Sequence, residues 1–346
     1  MELTKKDTNM TKGLAIVFMV LLHLFCRVDN LPYECLKIRE VPLVYYLGLF
    51  SDCCVAIYCF CSGYALELIN EKFKNAKDYY KNRVKSVFSF LINYWIVLIV
   101  FSIIGLIFDK SGAIPGSLKD FLLHFFLLST NYNGAWWFVL TYILLVFLSR
   151  PICQIINKLH PVFVNIITLG LYLVAYIQRF NELIHFNIPV LDWITNQLAL
   201  LGTSLLPFVW GMYFYKYKLF SKLREFIFKH FKNWQVALFS LIIVFVMIIG
   251  HGIFQSLIVA PFTGIVTIVL FNVVNKGKYI NAVFNFFGNH STNIWLTHMF
   301  FYSALFKDFV FVARYPIFIF LLMMVITVCC SYVIKFVYNP ISKMIK

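Results

Sequence analysis

Ten apolar runs, separated by short polar or basic stretches, organise this chain: Lys12–Arg27, Pro42–Leu68, Val84–Phe108, Trp136–Ile156, Val162–Ile177, Trp193–Tyr215, Trp234–Ile249, Phe254–Val274, Phe286–Phe306 and Phe311–Val337. A membrane-crossing helix needs about 20 predominantly apolar residues. The pattern therefore predicts an all-α integral membrane protein, a bundle of about ten transmembrane helices. The second and last runs exceed the required length and imply tilt or a kink. Leu118–Leu128 is apolar but too short to span, and reads as a re-entrant or interfacial segment. His251 marks a tight turn between the seventh and eighth runs. No polar loop is long enough to fold as a soluble domain, so residues 1–346 read as a single transmembrane domain.

Composition identifies the solvent. Hydrophobic residues make up 61% of the 346 and charged residues 13%, about half the charged share of an ordinary soluble chain. The net charge of +15 does not point to nucleic acid, because the basic residues sit in short blocks between the apolar runs. With the N-terminus in the cytoplasm, 22 of the 30 Lys and Arg residues fall on the inner side. The outer side keeps Arg27, Lys37, Arg39, Lys110, Lys119, Arg179, Lys307 and Arg314. That bias follows the positive-inside rule and predicts a multipass protein of the cell membrane, surrounded by lipid, with both termini cytoplasmic. The nine cysteines form no CxxC pair and no Cys/His metal spacing, so no metal is expected.

Ionisable residues inside spans are costly and are functional candidates. Lys12 and His23 lie eleven residues apart in the first run, about three helical turns and roughly 16 Å of rise, which puts both on nearly one face. The same spacing also fits a snorkelling lysine and a histidine satisfied by a neighbouring carbonyl. His298 lies at a depth similar to His23, and two imidazoles at one level suggest a shared polar cavity; a structural histidine bonded to a nearby Thr or Asn fits equally. Asp52 is the one clear carboxylate well inside a span. It is placed either to orient His23, as acid–imidazole pairs do, or in a wet outer vestibule. The inner stretch Lys72–Lys85 is strongly basic; it fixes topology on anionic lipid, or holds phosphates with Arg83 and Lys85 at the helix rim.

These residues resemble the acyltransferase-3 family of multipass membrane acyltransferases. The family frame of Arg, ten residues and His is matched by Lys12 and His23. Its second-helix ending is matched by Ser62-Gly63-Tyr64, its Trp-Phe-Leu signature by Trp136-Trp137-Phe138-Val139-Leu140, and its late Ser-x-x-Ile-Tyr-Leu-x-His pattern by Ser291 through His298. Lys12 stands where the family has Arg, losing the bidentate fork but keeping a charge. Ala56 stands where many members have Pro, which leaves the kink of the second helix open.

The resemblance implies acyl transfer, usually acetyl from acetyl-CoA, onto a hydroxyl of a cell-surface polysaccharide or its lipid-linked precursor. It implies His23 as general base or transient acyl carrier, His298 and Asp52 as positioning and charge-stabilising groups, and Lys12, Arg83 and Lys85 as holders of the donor phosphates. Ser62, Gly63 and Tyr64 are expected to permit close helix packing. The rival from another class is a transporter or flippase of lipid-linked glycans, which inverted repeats would support; none is visible.

Overall fold

The apolar runs fold as helices almost run for run. The structure, a computed structural model, describes residues 2–29, 31–109 and 111–345. Lys110 and Lys346, counted above on the outer and inner rims, lie outside the described residues. The helices are α1 (Lys5–Phe25), α2 (Leu43–Phe50), α3 (Cys54–Lys72), α4 (Ala76–Phe108), α5 (Leu118–Phe125), α6 (Trp137–Lys158) and α7 (Pro161–Asn181). They continue with α8 (Pro189–Lys216), α9 (Leu219–His230), α10 (Asn233–Ile253), α11 (Ala260–Val273), α12 (Lys278–Met299), α13 (Lys307–Phe311) and α14 (Pro316–Ile345). A short antiparallel pair, β1 (Lys37–Ile38) with β2 (Val41–Pro42), closes the loop after α1.

Eight helical stretches among the described residues are long and apolar enough to cross a membrane. The eighth and ninth expected spans are helical too, but each departs from that standard for its own reason. The run Phe254–Val274 gives only a shorter helix, Leu257–Val273, because Phe254–Ser256 form the connection from α10, which itself continues through Ile253. His251 is thus no turn residue; it is buried in the last turn of α10. The run Phe286–Phe306 becomes α12 followed directly by a π-helical turn, Phe300–Ala304. Its polar stretch Asn289–Asn293, with Thr297 and His298, lowers its apolar character.

The long second run breaks between α2 and α3 at a 3₁₀ turn, Ser51–Cys53. No proline is needed for the break. The Ser51 hydroxyl donates to Leu47 O at 2.7 Å, the back-bonding that bends helices at serine.

The described chain forms two compact units. The first holds residues 2–15, Asp52–Tyr79 and Thr141–Gly288; the second holds Ile16–Ser51, Tyr80–Leu140 and residues 289–345. In the first, α3 lies against α8. A Cβ on Gly63 would stand 1.9 Å from Phe208 O, and one on Gly211 would stand 2.1 Å from Phe60 O. Only glycine permits this backbone approach, which is the packing role expected for the Ser62-Gly63-Tyr64 segment. The N-terminal segment is pinned beside it: the Glu2 carboxylate accepts from the Tyr64 hydroxyl at 2.8 Å and from Ser221 N at 2.9 Å.

In the second unit, α5 is too short to span, as its sequence indicates. His124 donates from Nδ1 to Asp120 O at 2.7 Å and accepts from Tyr132 N on Nε2 at 3.1 Å. Both ring nitrogens are used, so His124 is a satisfied structural histidine.

Candidate active site

The second unit brings His23 and His298 together. Their ring centroids are 4.8 Å apart, with the planes tilted by 33°. His298 is fully buried, whereas His23 on α1 is half-buried.

The proton on His298 has one place to be. Nδ1 lies 2.8 Å from Trp295 O and 3.2 Å from Ile294 O. A carbonyl only accepts, so Nδ1 of the neutral ring carries the hydrogen and Nε2 carries the lone pair. That Nε2 has no hydrogen-bond partner. Unlike His124, His298 keeps a buried acceptor in reserve, which is uncommon for structural polar groups.

The Trp136 motif holds this part of α12 in place. Trp136 Nε1 and Asn133 Nδ2 both donate to Leu296 O, at 3.0 and 2.9 Å. Trp295 Nε1 returns a bond to Ala135 O at 3.0 Å. Phe300, at the start of the π-helical turn, stacks on Phe101 at 4.1 Å. Single π-helical turns of this kind frequently mark functional sites. This turn carries Tyr302, whose ring lies 6.2 Å from that of His23. The Arg27 guanidinium donates to the Tyr302 hydroxyl and lies 5.1 Å from its ring centre.

Nearer the start of α12, a cleft of about 640 Å³ opens between α4, α12 and α14. Arg83 and Lys85 line it, as does Lys335, and no carboxylate does. Asparagines, two serines, Thr292 and Tyr338 supply the remaining polar lining. Lys335 is positioned by a bond from Nζ to Asn289 O at 2.8 Å. Asn93 and Asn293 join across the cleft wall at 2.7 Å, and Asn293 is anchored in turn to the Ser331 hydroxyl at 3.1 Å. His298 follows Asn293 on the same helix, about 7.5 Å further along the axis.

The other two sequence candidates have different surroundings, in the first unit. Lys12 is half-buried on α1, and its carbonyl accepts from the Tyr58 hydroxyl at 3.4 Å. Asp52 is buried, not exposed in a wet vestibule, and its carboxylate is engaged by His251, with Oδ2 to Nε2 at 3.2 Å. His23 is one of the two surroundings that the sequence offers for Asp52; the partner in the structure is His251. The sequence pattern puts His251 in a turn, which hides the pairing.

Sequence reading also passed over Lys335, Arg27 and Tyr302. In the sequence Lys335 and Arg27 are only rim charges, and nothing in the spacing of Tyr302 links it to His23. Among the described residues no group of three or more His, Cys, Asp or Glu side chains is arranged to hold a metal ion.

Fold and site together define an all-α multipass membrane protein whose polar chemistry lies within its helices. The chain belongs to the acyltransferase-3 family: the family model, described as an acyltransferase domain, matches residues 7–336. It is therefore a membrane acyltransferase. No curated protein and no solved structure matches the chain.

Proposed function

We propose that the protein moves an acyl group, acetyl in the first instance, from acetyl-CoA to a hydroxyl of a cell-surface polysaccharide or its lipid-linked precursor. The observation that carries this reading is the unpartnered lone pair of His298 beside the half-buried His23. The same unit supplies a basic, carboxylate-free cleft.

In this reading the cleft holds the donor. Its three cations suit the phosphates of CoA, and its asparagines suit the nucleotide and the amides of the arm. The thioester end then runs along α12 toward His298. The positive-inside count supports a cytoplasmic position for the cleft and both termini, the side on which acetyl-CoA is made. The acceptor approaches from the opposite mouth.

His23 takes the proton from the acceptor hydroxyl as its oxygen forms a bond to the thioester carbon. The tetrahedral intermediate expels the CoA sulfur, and the imidazolium returns the proton to it. The products are the acyl ester and CoA thiol, with no net proton change. His298 acts through His23: its buried Nε2 lone pair accepts from the imidazolium N–H that forms during the reaction, the part a carboxylate plays in other triads. Lys12 adds positive charge at the inner rim. Asp52, held by His251, contributes to the framework of the first unit.

Membranes containing the protein, given labelled acetyl-CoA and candidate glycans, are expected to transfer label. Substitution His23→Ala is expected to abolish that transfer while expression is kept. Undiminished transfer by the variant would remove His23 from the mechanism.

A further inference from the structure

Past the end of α1, Arg27 meets Tyr302, which follows His298 on the chain, and Tyr33 lies close enough to feel the charge of Arg27. Arg27 is half-buried, and among the described residues no carboxylate lies within ion-pair distance of its guanidinium. Tyr302 uses its oxygen to accept from Arg27, which leaves its own O–H to donate. Tyr33 is buried, packed edge-on against Phe25 at 5.5 Å and stacked with Phe311 at 6.3 Å, and its hydroxyl has no hydrogen-bond partner.

Burial pushes the Tyr33 phenol up to about 12, and Cys35 adds to the rise while Arg27 pulls the other way. The phenol therefore stays a protonated donor and lies within the field of Arg27. The nearby carboxylate of Glu34 is already committed to Arg314. A guanidinium with no carboxylate partner and a buried phenol with no acceptor are costly unless an anion completes them.

We infer that Arg27, Tyr302 and Tyr33 bind an anionic group of the acceptor, a carboxylate or a phosphate, so that a neighbouring hydroxyl reaches His23. The inference rests on the acyl-transfer reading for what His23 then does, but not for the binding itself. It narrows the acceptor to an acidic glycan or a glycosyl phosphate. A carboxylate or phosphate accepts from several N–H and O–H groups at once, and a guanidinium fork matches either.

The test is binding to the purified full chain in detergent, by calorimetry, with methyl glucuronide, glucose 1-phosphate and methyl glucoside as probes. The two anionic probes are expected to bind at least about tenfold more tightly than the neutral one, a difference of about 1.4 kcal/mol. The stronger of the two identifies carboxylate or phosphate as the natural group. Arg27→Gln is expected to erase the preference. Tyr33→Phe and Tyr302→Phe, which remove one donor without a charge, are expected to weaken the anionic probes alone by roughly threefold to tenfold. They serve if the arginine variant does not fold.

Equal or absent binding of all three probes by the wild type would overturn the inference. So would an anionic preference that survives in folded Arg27→Gln. In acetyl-transfer assays the arginine variant should raise KM for anionic acceptors. A fall in kcat with that KM unmoved would instead assign Arg27 to the tetrahedral oxyanion and sink the proposal. Anion binding without any acyl transfer would refute the acyl-transfer reading and leave the anion site standing.

Discussion

His251 Nε2 lies 3.2 Å from Asp52 Oδ2, and neither side chain is open to solvent. The pair ties the last turn of α10 to the start of α3 within the first unit. The contact is one of ion-pair distance, and among the described residues none of the four side-chain polar atoms has another hydrogen-bond partner, so each residue depends on the other. Removing one member of such a buried pair strands the other, at a cost of about 3–5 kcal/mol. Asp52→Ala and His251→Ala are each expected to lose about that much in denaturant unfolding from detergent. The double variant Asp52→Leu with His251→Leu should recover most of the loss, because apolar partners leave nothing stranded. A double variant no better than the singles would show that the pair is not the unit of stability.

The two site histidines should differ in how their loss is felt. His23→Ala removes the proposed base and is expected to lower kcat by about 10³-fold, within the usual range for general base catalysis. His298→Ala removes only the acceptor behind it and is expected to cost about 10²-fold in kcat, with KM for acetyl-CoA unchanged. Steady-state kinetics on both variants, matched for folded protein, decide the matter. An effect of His298→Ala confined to KM would move that residue to the donor site.

Much of this arrangement could be read from residue order, and the missing part has a common cause. Apolar length located the helices, because a bilayer demands about 20 such residues whatever the neighbours are. Depth counted from the helix rims put His23 and His298 at one level, where the structure has them side by side. The break at Ser51–Cys53 was hidden inside a continuous apolar run, since a serine hydroxyl turned back on its own helix leaves no mark in hydropathy. The pairing of Asp52 with His251 is not legible in the sequence, because periodicity reports which face a residue occupies and not which helix lies opposite. Lys335 was missed for the same reason. It lies far from Arg83 and Lys85 in sequence, and only the packing of α14 beside α4 and α12 makes the three one cleft.

That cleft makes a further prediction. Lys335→Gln, like Arg83→Gln and Lys85→Gln, removes a cation from a site without carboxylates. Each is expected to raise KM for acetyl-CoA roughly tenfold while kcat is kept, the size of a lost charged hydrogen bond. The effect should shrink as salt rises, because ions screen partly exposed charges. Initial rates at two salt concentrations test both statements. A KM that ignores all three substitutions would separate the cleft from the donor.

The loop between α11 and α12 holds a cation under strain from burial. Lys276 donates to Phe271 O and to Val274 O, the latter at 3.2 Å, and its ammonium lies 4.3 Å from the Phe271 ring centre. These carbonyls close the C-terminal end of α11, where a positive charge is favourable. Burial nevertheless lowers the lysine from its ordinary 10.5 to about 8; Asp7 pulls it up and Arg224 pushes it down. Between those two values the unfolded chain binds more protons than the folded one, so this group makes stability rise with pH. The penalty is fully present below about pH 8 and fades as pH climbs toward 10.5. Lys276→Gln removes the titration and leaves a constant loss from the missing carbonyl contacts. Thermal unfolding in detergent at pH 7, 8, 9 and 10 should therefore show the wild type gaining on the variant steadily above pH 8. Taking the difference between the two proteins cancels the other groups that titrate in this range. A difference that stays flat across the series would show that the buried ammonium carries no such penalty.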